Sequence, residues 1–218
     1  MSIMSLFKKY YNRSIERNIS LLVLNFIYIF IWGLTTGKTE RIGFGIILSL
    51  IFIFAVRSIK ERFSKLFYFV AITLIILWIS FFLELRLIML ISNVLSILFF
   101  VVVVVFLVIK LAKAKTISAI EFLEAINIYF FIGIIGSILL TATYHLNPNS
   151  FNANTLLSEP ADFIYFSFVT LTSLGYGDIS PVSPIAKSIS IFLSFSGQIY
   201  LAMIISMLVG KYLSAKST

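Results

Sequence analysis

The stretch of this chain with the means to do chemistry is Thr170–Pro181, TLTSLGYGDISP. It combines the hydroxyls of Thr170, Thr172 and Ser173 with a Gly-Tyr-Gly triplet at 175–177 and the carboxylate of Asp178. A peptide carbonyl is a neutral, strongly polar oxygen, and glycine permits backbone angles that turn it where other residues resist. If four copies met on an axis, the carbonyls of Leu174, Gly175, Tyr176 and Gly177 would stack as oxygen rings, with the Ser173 hydroxyl beside them. Such rings are able to replace an ion's water shell. Other chemistry lacks material. Cysteine is absent, histidine occurs once and there are nine acidic residues, so thiol catalysis, disulfides and thiolate metal sites are excluded. The sequence shows no P-loop and no catalytic dyad, which argues against an enzyme.

The elements that position this stretch read as a membrane scaffold. Of the 218 residues, 60% are hydrophobic and only 12% charged, too little polar surface for a soluble domain of this length. Several apolar runs are long enough to cross about 30 Å of hydrocarbon. The expected fold is all-α: a polytopic membrane protein with six transmembrane helices, a re-entrant pore helix and a filter loop, assembling as a tetramer. The spans are expected at about Ile19–Leu34, Ile42–Val56, Leu66–Leu83, Leu87–Ile109, Ile128–Tyr144 and from Pro184 to about Gly210. The first ends near Trp32 and the turn GLTTGKTE, and Arg57, Lys60, Glu61, Arg62 and Lys65 form a charged loop after the second. The run from Ala161 to about Thr172 would reach only about 18 Å as a helix, too short to cross, and so is expected to re-enter. Ser158 is its expected cap, and Ser183 with Pro184 opens the last span.

Between the fourth and fifth spans, Ile117, Ile120, Phe122, Leu123 and Ile126 form an apolar face beside polar Glu121 and Glu124, the pattern of an interfacial amphipathic helix. His145–Ser158 is Asn-rich, lacks Lys and Arg, and is expected to be an exposed loop, with His145 an ordinary loop residue. The chain accordingly divides into an N-terminal segment 1–18, a four-helix membrane domain 19–109, an interfacial linker helix 110–126, a pore domain 127–211 and a short tail 212–218. The first residues lack the pattern of a cleaved secretory signal. The eight-residue tail KYLSAKST is too short for a ligand-binding regulatory domain.

Thirteen Lys and Arg against four Glu fall on one side of this topology, and four basic against five acidic residues on the other. The charge bias places both termini in the cytoplasm of a multi-pass protein of the cell membrane, with the 145–184 region outside. Because the basic residues sit in short loops, the pI near 9.7 says little about nucleic acid, which is not an expected partner, whereas membrane lipid is.

The 170–181 stretch resembles the signature of the potassium-channel family, usually written T-x-T-T-V-G-Y-G-D. Thr172, Leu174, Gly175, Tyr176, Gly177 and Asp178 match it, and Ser173 departs from a threonine while keeping the hydroxyl. The resemblance implies potassium ions, the permeant ligand and not a cofactor, held at Ser173, Leu174, Gly175 and Tyr176. It implies filter support from Thr172, from Tyr165 and Phe166 packed toward Tyr176, and from Asp178, to which the Tyr165 hydroxyl would bond. Gly197 lies 22 residues after Gly175, where relatives have a hinge glycine. Packing explains a small residue there about as well. Leu201, Ile205 and Leu208 follow at helical spacing as a candidate hydrophobic gate. Thr170 is expected to bond the preceding turn of its helix, and Glu159 and Asp162 to be first-turn acids or part of a negative outer mouth.

The fourth span departs from the voltage-gated branch of that family. It has Arg86 at one edge and nothing basic before Lys110. Steep voltage gating takes about three or four charges per subunit, so none is expected. A single filter stretch demands a homotetramer to close the rings, with a separate regulatory subunit left open. Two alternatives stand beside a potassium-selective channel: a poorly selective monovalent cation channel, prompted by Ser173, and a non-conducting membrane partner of other channels.

Overall fold

The computed structural model describes residues 3–31, 38–58, 64–83, 85–114, 118–154, 157 and 160–216. Helix α1 (Ile3–Phe26) runs into a π-helical turn, Ile27–Ile31. Neither Pro nor Gly interrupts residues 3–31, so the expected N-terminal segment and first span form one continuous rod. The expected turn at 32–37 lies outside the described residues. Helix α2 (Lys38–Ser58) takes in the KTE of that turn. It is followed by α3 (Ser64–Leu83) and α4 (Arg86–Lys113), and most of the charged loop between α2 and α3, 59–63, is again outside the described residues.

The linker differs from expectation. Helix α5 (Ala119–Leu146) starts at a capping box: Ile120 N–H donates to Ser118 Oγ at 3.2 Å, and Ser118 N–H to Glu121 Oε2 at 2.8 Å. From there it continues unbroken through the fifth span, so the amphipathic segment is the span's first turns and not a separate interfacial helix. The physical reason is Glu124. Instead of facing water it is fully buried and ion-paired to Lys110 of α4, while Phe122 is exposed. Lys115 and Ile117 lie outside the described residues.

Among the described residues five helices are long and apolar enough to cross a membrane: Ser14–Ile31, Leu66–Leu83, Arg86–Lys113, Ala119–Leu146 and Pro184–Met207. The apolar part of α2, Ile42–Ser58, is shorter. Its 17 residues reach about 25 Å. The main core joins α1–α5. Phe52 of α2 stacks on Phe99 of α4 with centroids 4.3 Å apart, and Phe100 reaches Phe131 of α5 at 5.4 Å. Buried aromatic area of this kind dominates packing energetics, and offset pairs add about 0.5–1.5 kcal/mol each.

Helix α5 is the central post, packed against α1, α4, α6 (Pro160–Leu171) and α7 (Pro184–Lys216). The region after α5 is more ordered than an exposed loop. A turn of 3-10 helix, Pro148–Ser150, leads into β1 (Phe151–Ala153), which pairs antiparallel with β2 (Ile179–Pro181), Phe151 opposite Pro181. Val182 N–H extends the staple by donating to Ser150 O at 2.8 Å. Phe151 is buried because its ring packs on Phe163 and Phe166 of α6, at 5.6 and 5.8 Å.

Candidate functional site

Helix α6 has 12 residues, a length of about 18 Å, and begins at Pro160. Ser158 and Glu159, its expected cap and first acid, lie outside the described residues. Small residues let α6 sit against α5. A Cβ on Gly133 would stand 2.3 Å from the Phe168 ring, and one on Gly136 2.4 Å from Ser167 Oγ. Ser167 Oγ donates to Gly133 O at 2.7 Å. Close approach through small residues, with a hydroxyl bonding a neighbouring carbonyl, is the usual way helices associate in lipid.

The end of α6 shapes everything after it. Ser173 N–H donates to Thr170 O at 3.0 Å and Leu174 N–H to Val169 O at 2.9 Å, the paired pattern of a Schellman cap with Ser173 in the left-handed position. Ser173 has φ 58°, the sole positive value outside glycine among the described residues. Gly175 N–H reaches the same Val169 O at 3.4 Å, so successive N–H groups converge on the helix end as a nest. In a trans peptide the carbonyl points opposite the N–H. The carbonyls of Thr172, Ser173 and Leu174 are therefore turned away from α6. The sign of φ alternates to keep this side constant, being positive at Ser173 (58°), Gly175 (59°) and Gly177 (80°) and not at Leu174 or Tyr176. Glycine is needed at 175 and 177 because other L-residues resist that region.

Residues 172–177 are exposed in the single chain. Beyond them, the Tyr165 hydroxyl donates to Asp178 Oδ2 at 2.7 Å, the bond expected from the sequence. That hydrogen bond holds the Asp178 carboxyl below its ordinary 3.8 and pushes the Tyr165 phenol up to about 12. Phe166 is buried against Phe151, and among the described residues no ring contact joins it to Tyr176, which is 67% exposed. In the single chain Phe166 packs on β1 instead. Thr172 Oγ1 donates to Phe168 O at 2.7 Å, so the back-bond to the preceding turn expected of Thr170 is made by Thr172.

Helix α7 begins as expected, with Ala186 N–H donating to Ser183 Oγ at 3.2 Å. Gly197 meets the end of α6: a Cβ there would stand 2.0 Å from the carbonyl oxygen of Leu171. The helix runs unbroken through it. Leu201 and Ile205 are exposed in the single chain, and the side chain of Leu208 lies outside the described residues.

Four arrangements escaped the sequence reading. Gln198 Nε2 donates to Ser173 Oγ at 3.1 Å, and Ser194 Oγ lies 3.0 Å from the same oxygen. Polar residues four apart on an apolar helix were the available signal. Tyr200 donates to Ala125 O of α5 at 2.7 Å, anchoring α7 to the central post. A buried polar cluster joins α1, α2, α4 and α5. In it Glu124 pairs with Lys110 and accepts from Asn18 at 3.4 Å, Ser58 donates to Asn18 at 3.1 Å, and Asn25 donates to Asn127 at 3.0 Å. Arg86 donates to Leu146 O at 2.6 Å. No cluster of three or more His, Cys, Asp or Glu able to hold a metal occurs among the described residues.

Residues 125–214 match the family model described as "Ion channel". Over shorter stretches the chain is similar to three curated proteins. It is 36% identical to Two pore potassium channel c of Oryza sativa subsp. japonica over 69 residues, 31% of this chain and 15% of that protein. It is 43% identical to Potassium channel K1 of Plasmodium berghei (strain Anka) over 35 residues, 16% of this chain and 2% of that protein. It is 29% identical to Potassium channel K2 of Plasmodium falciparum (isolate 3D7) over 79 residues, 36% of this chain and 5% of that protein. The chain thus spans a small part of these relatives. No solved structure matches. The matched segment carries α6, the 172–178 loop and α7, and its likeness to ion channels supports a non-catalytic transport function. With the long apolar helices, it supports an ion-channel-like, multi-pass membrane protein.

Proposed function

We propose that the chain is one subunit of a homotetrameric potassium channel of the cell membrane. Potassium passes through rings of backbone oxygens from Leu174, Gly175, Tyr176 and Gly177, with Ser173 Oγ at the inner end. The observation that carries this reading is the alternating backbone of residues 173–177, with the N–H groups of Ser173, Leu174 and Gly175 spent on the end of α6 and the loop exposed in the single chain. Unsatisfied carbonyls at membrane depth are tolerated only where they line water or are buried in protein. Copies around an axis satisfy that condition, and they also cover the exposed ring of Tyr176. The names of the three relatives support potassium as the ion. The C-terminal end of α6, partly negative, favours a cation beside it. Both termini are cytoplasmic, residues 19–109 form the four-helix membrane domain and residues 127–211 the pore domain.

The Ser173 contacts to Ser194 and Gln198 favour a second reading, a poorly selective cation channel, because a hydroxyl already engaged is a poorer ligand. Reversal potentials of purified protein in liposomes under opposed potassium and sodium gradients decide. A potassium-selective, barium-blocked current from a tetramer is expected. A reversal potential indifferent to the two ions selects the second reading, and a silent protein that co-purifies with another channel overturns both. In the same vesicles, three or more gating charges per subunit would contradict the absence of voltage sensing that α4 implies.

A further inference from the structure

A cavity of about 480 Å³ lies between the four-helix unit and α6, walled by α2, α3, α4 and α5. It sits where α5 ends, with Pro160, Phe163 and Ile164 from the start of α6 forming part of its wall. Its size is that of a drug-like or single-chain lipid ligand. Much of the lining is apolar, including Phe44 and Phe81, but Ser80, Ser92, Asn93 and Ser96 also face it. Ser80, Ser92 and Ser96 are only 7%, 5% and 3% exposed, and none of the four has a hydrogen-bond partner among the described residues. Other hydroxyls on the protein's apolar helices bond the preceding turn, as Ser49, Thr73, Thr141 and Thr143 do at 2.7–2.9 Å. The polar atoms of Ser80, Ser92, Asn93 and Ser96 open into the cavity, where a ligand's head group can bond them.

The lining also fixes the ligand's charge. Among the described residues it contains no Asp, Glu, Lys or Arg, and His145 is their sole titratable group besides tyrosine. A charged ligand would lose its hydration with nothing to replace it. We propose that this cavity binds a neutral, single-chain amphiphile. Its hydroxyl or amide head bonds the Ser92–Asn93–Ser96 row and its hydrocarbon lies against Phe44, Phe81 and Phe163. Because the occupant touches the first turns of α6, it biases the helix whose far end carries the filter loop. That effect on conduction rests on the channel reading, whereas the binding does not.

The test uses the full chain with Trp32→Phe, which leaves Trp78 as the remaining tryptophan. The Trp78 ring lies 5.7 and 6.1 Å from Phe81 and Phe82, both in the cavity lining. A monoacylglycerol brominated on its chain is titrated into phosphatidylcholine vesicles holding the protein, beside a brominated fatty-acid carboxylate of equal chain length. Saturable quenching of Trp78 by the monoacylglycerol is expected, about fivefold weaker in Asn93→Leu and lost in Ser96→Phe. Asn93 is half-buried, so its substitution keeps the test open should Ser96→Phe fail to fold. Quenching that rises linearly with probe, identical in all variants, overturns the site. Carboxylate saturating as tightly overturns the neutral class. Potassium flux is read in parallel: saturable quenching with unchanged flux removes the link to α6, and binding without any wild-type flux counts against the channel reading alone.

Discussion

Gly197→Ala separates two roles for this glycine, hinge and close contact. An alanine Cβ would stand 2.0 Å from Leu171 O, 3.0 Å from Leu171 C and 3.1 Å from its Cδ1. Ordinary contact begins at 3.4 Å, so α7 and the end of α6 must part by about 1.4 Å. The obstacle is backbone and cannot swing aside as a flexible side chain would. Overpacking of this kind costs about 1–3 kcal/mol per chain, which lowers the melting midpoint by about 2–12 °C for a chain of this size. The filter should suffer too, because Leu171 adjoins the two carbonyls, Val169 O and Thr170 O, on which the 173–175 N–H groups hang. Thermal melting of the purified assembly and its potassium-over-sodium selectivity are therefore measured together. Gly210→Ala is the control, since nothing lies within 4 Å of a Cβ there. Contact predicts that Gly197→Ala lowers both quantities while Gly210→Ala changes neither. A Gly197→Ala protein with wild-type melting and selectivity but altered opening would refute the argument and leave the hinge.

Ser173 has one proton and two lone pairs, and Gln198 takes one of the pairs. An ion can use the other only if Ser173 donates its proton to Ser194. Ser194→Ala should then weaken barium block about fivefold and Ser194→Thr should restore it, equal block in all three proteins being the contrary result. Tyr165→Phe removes the bond that lowers the Asp178 pKa, so its filter should inactivate sooner. Since the folded value is depressed, the stabilisation is complete above the unfolded 3.8 and is lost as pH falls through the lower folded value. Recordings should show this bond's contribution constant above 3.8 in wild type, and acid sensitivity at higher pH that Tyr165→Phe abolishes would contradict it. Lys110→Met strands Glu124, whose Oε2 is already buried without a partner. With Lys110 partly exposed, a loss of about 1–3 kcal/mol is expected in melting experiments, largely recovered in Lys110→Met/Glu124→Gln, and a neutral single substitution would show that the pair carries no stability.

The sequence made the spans and the loop legible for different reasons. Spans announce themselves by apolar length, so α3 and α4 fall where hydropathy puts them, with ends shifted by about a turn or less, and α5 keeps its expected end. The 172–178 loop was readable because its glycines answer a backbone demand visible in the triplet itself. Helix boundaries at 118–126 were not readable, since Glu124 looks solvent-facing until Lys110, 14 residues away, is brought beside it. The β1–β2 staple was hidden for a similar reason: three-residue strands have no periodicity, and their pairing depends on α5 and α6 bringing 151 and 181 together. Gly133 and Gly136 were equally silent. Their meaning lies in what presses on them from α6, which composition does not carry.

Those same long-range contacts couple the helices to the 172–178 loop. Helix α5 holds α7 through Tyr200 on Ala125 O and holds α6 through Ser167 on Gly133 O, two carbonyls eight residues and about 12 Å apart along one axis. At its start, Glu124 and Asn127 tie it to α4 and α1, and at its end Leu146 O is held by Arg86. A shift of α5 therefore cannot leave α6 and α7 where they are without breaking a buried hydrogen bond at one or the other. Each broken bond strands a polar group in apolar surroundings, at about 1–3 kcal/mol. The three helices move together more cheaply than apart, and the filter loop, hung by its N–H groups from the end of α6, moves with them. A shift anywhere along α5 thus reaches the 172–178 loop through bonded contacts.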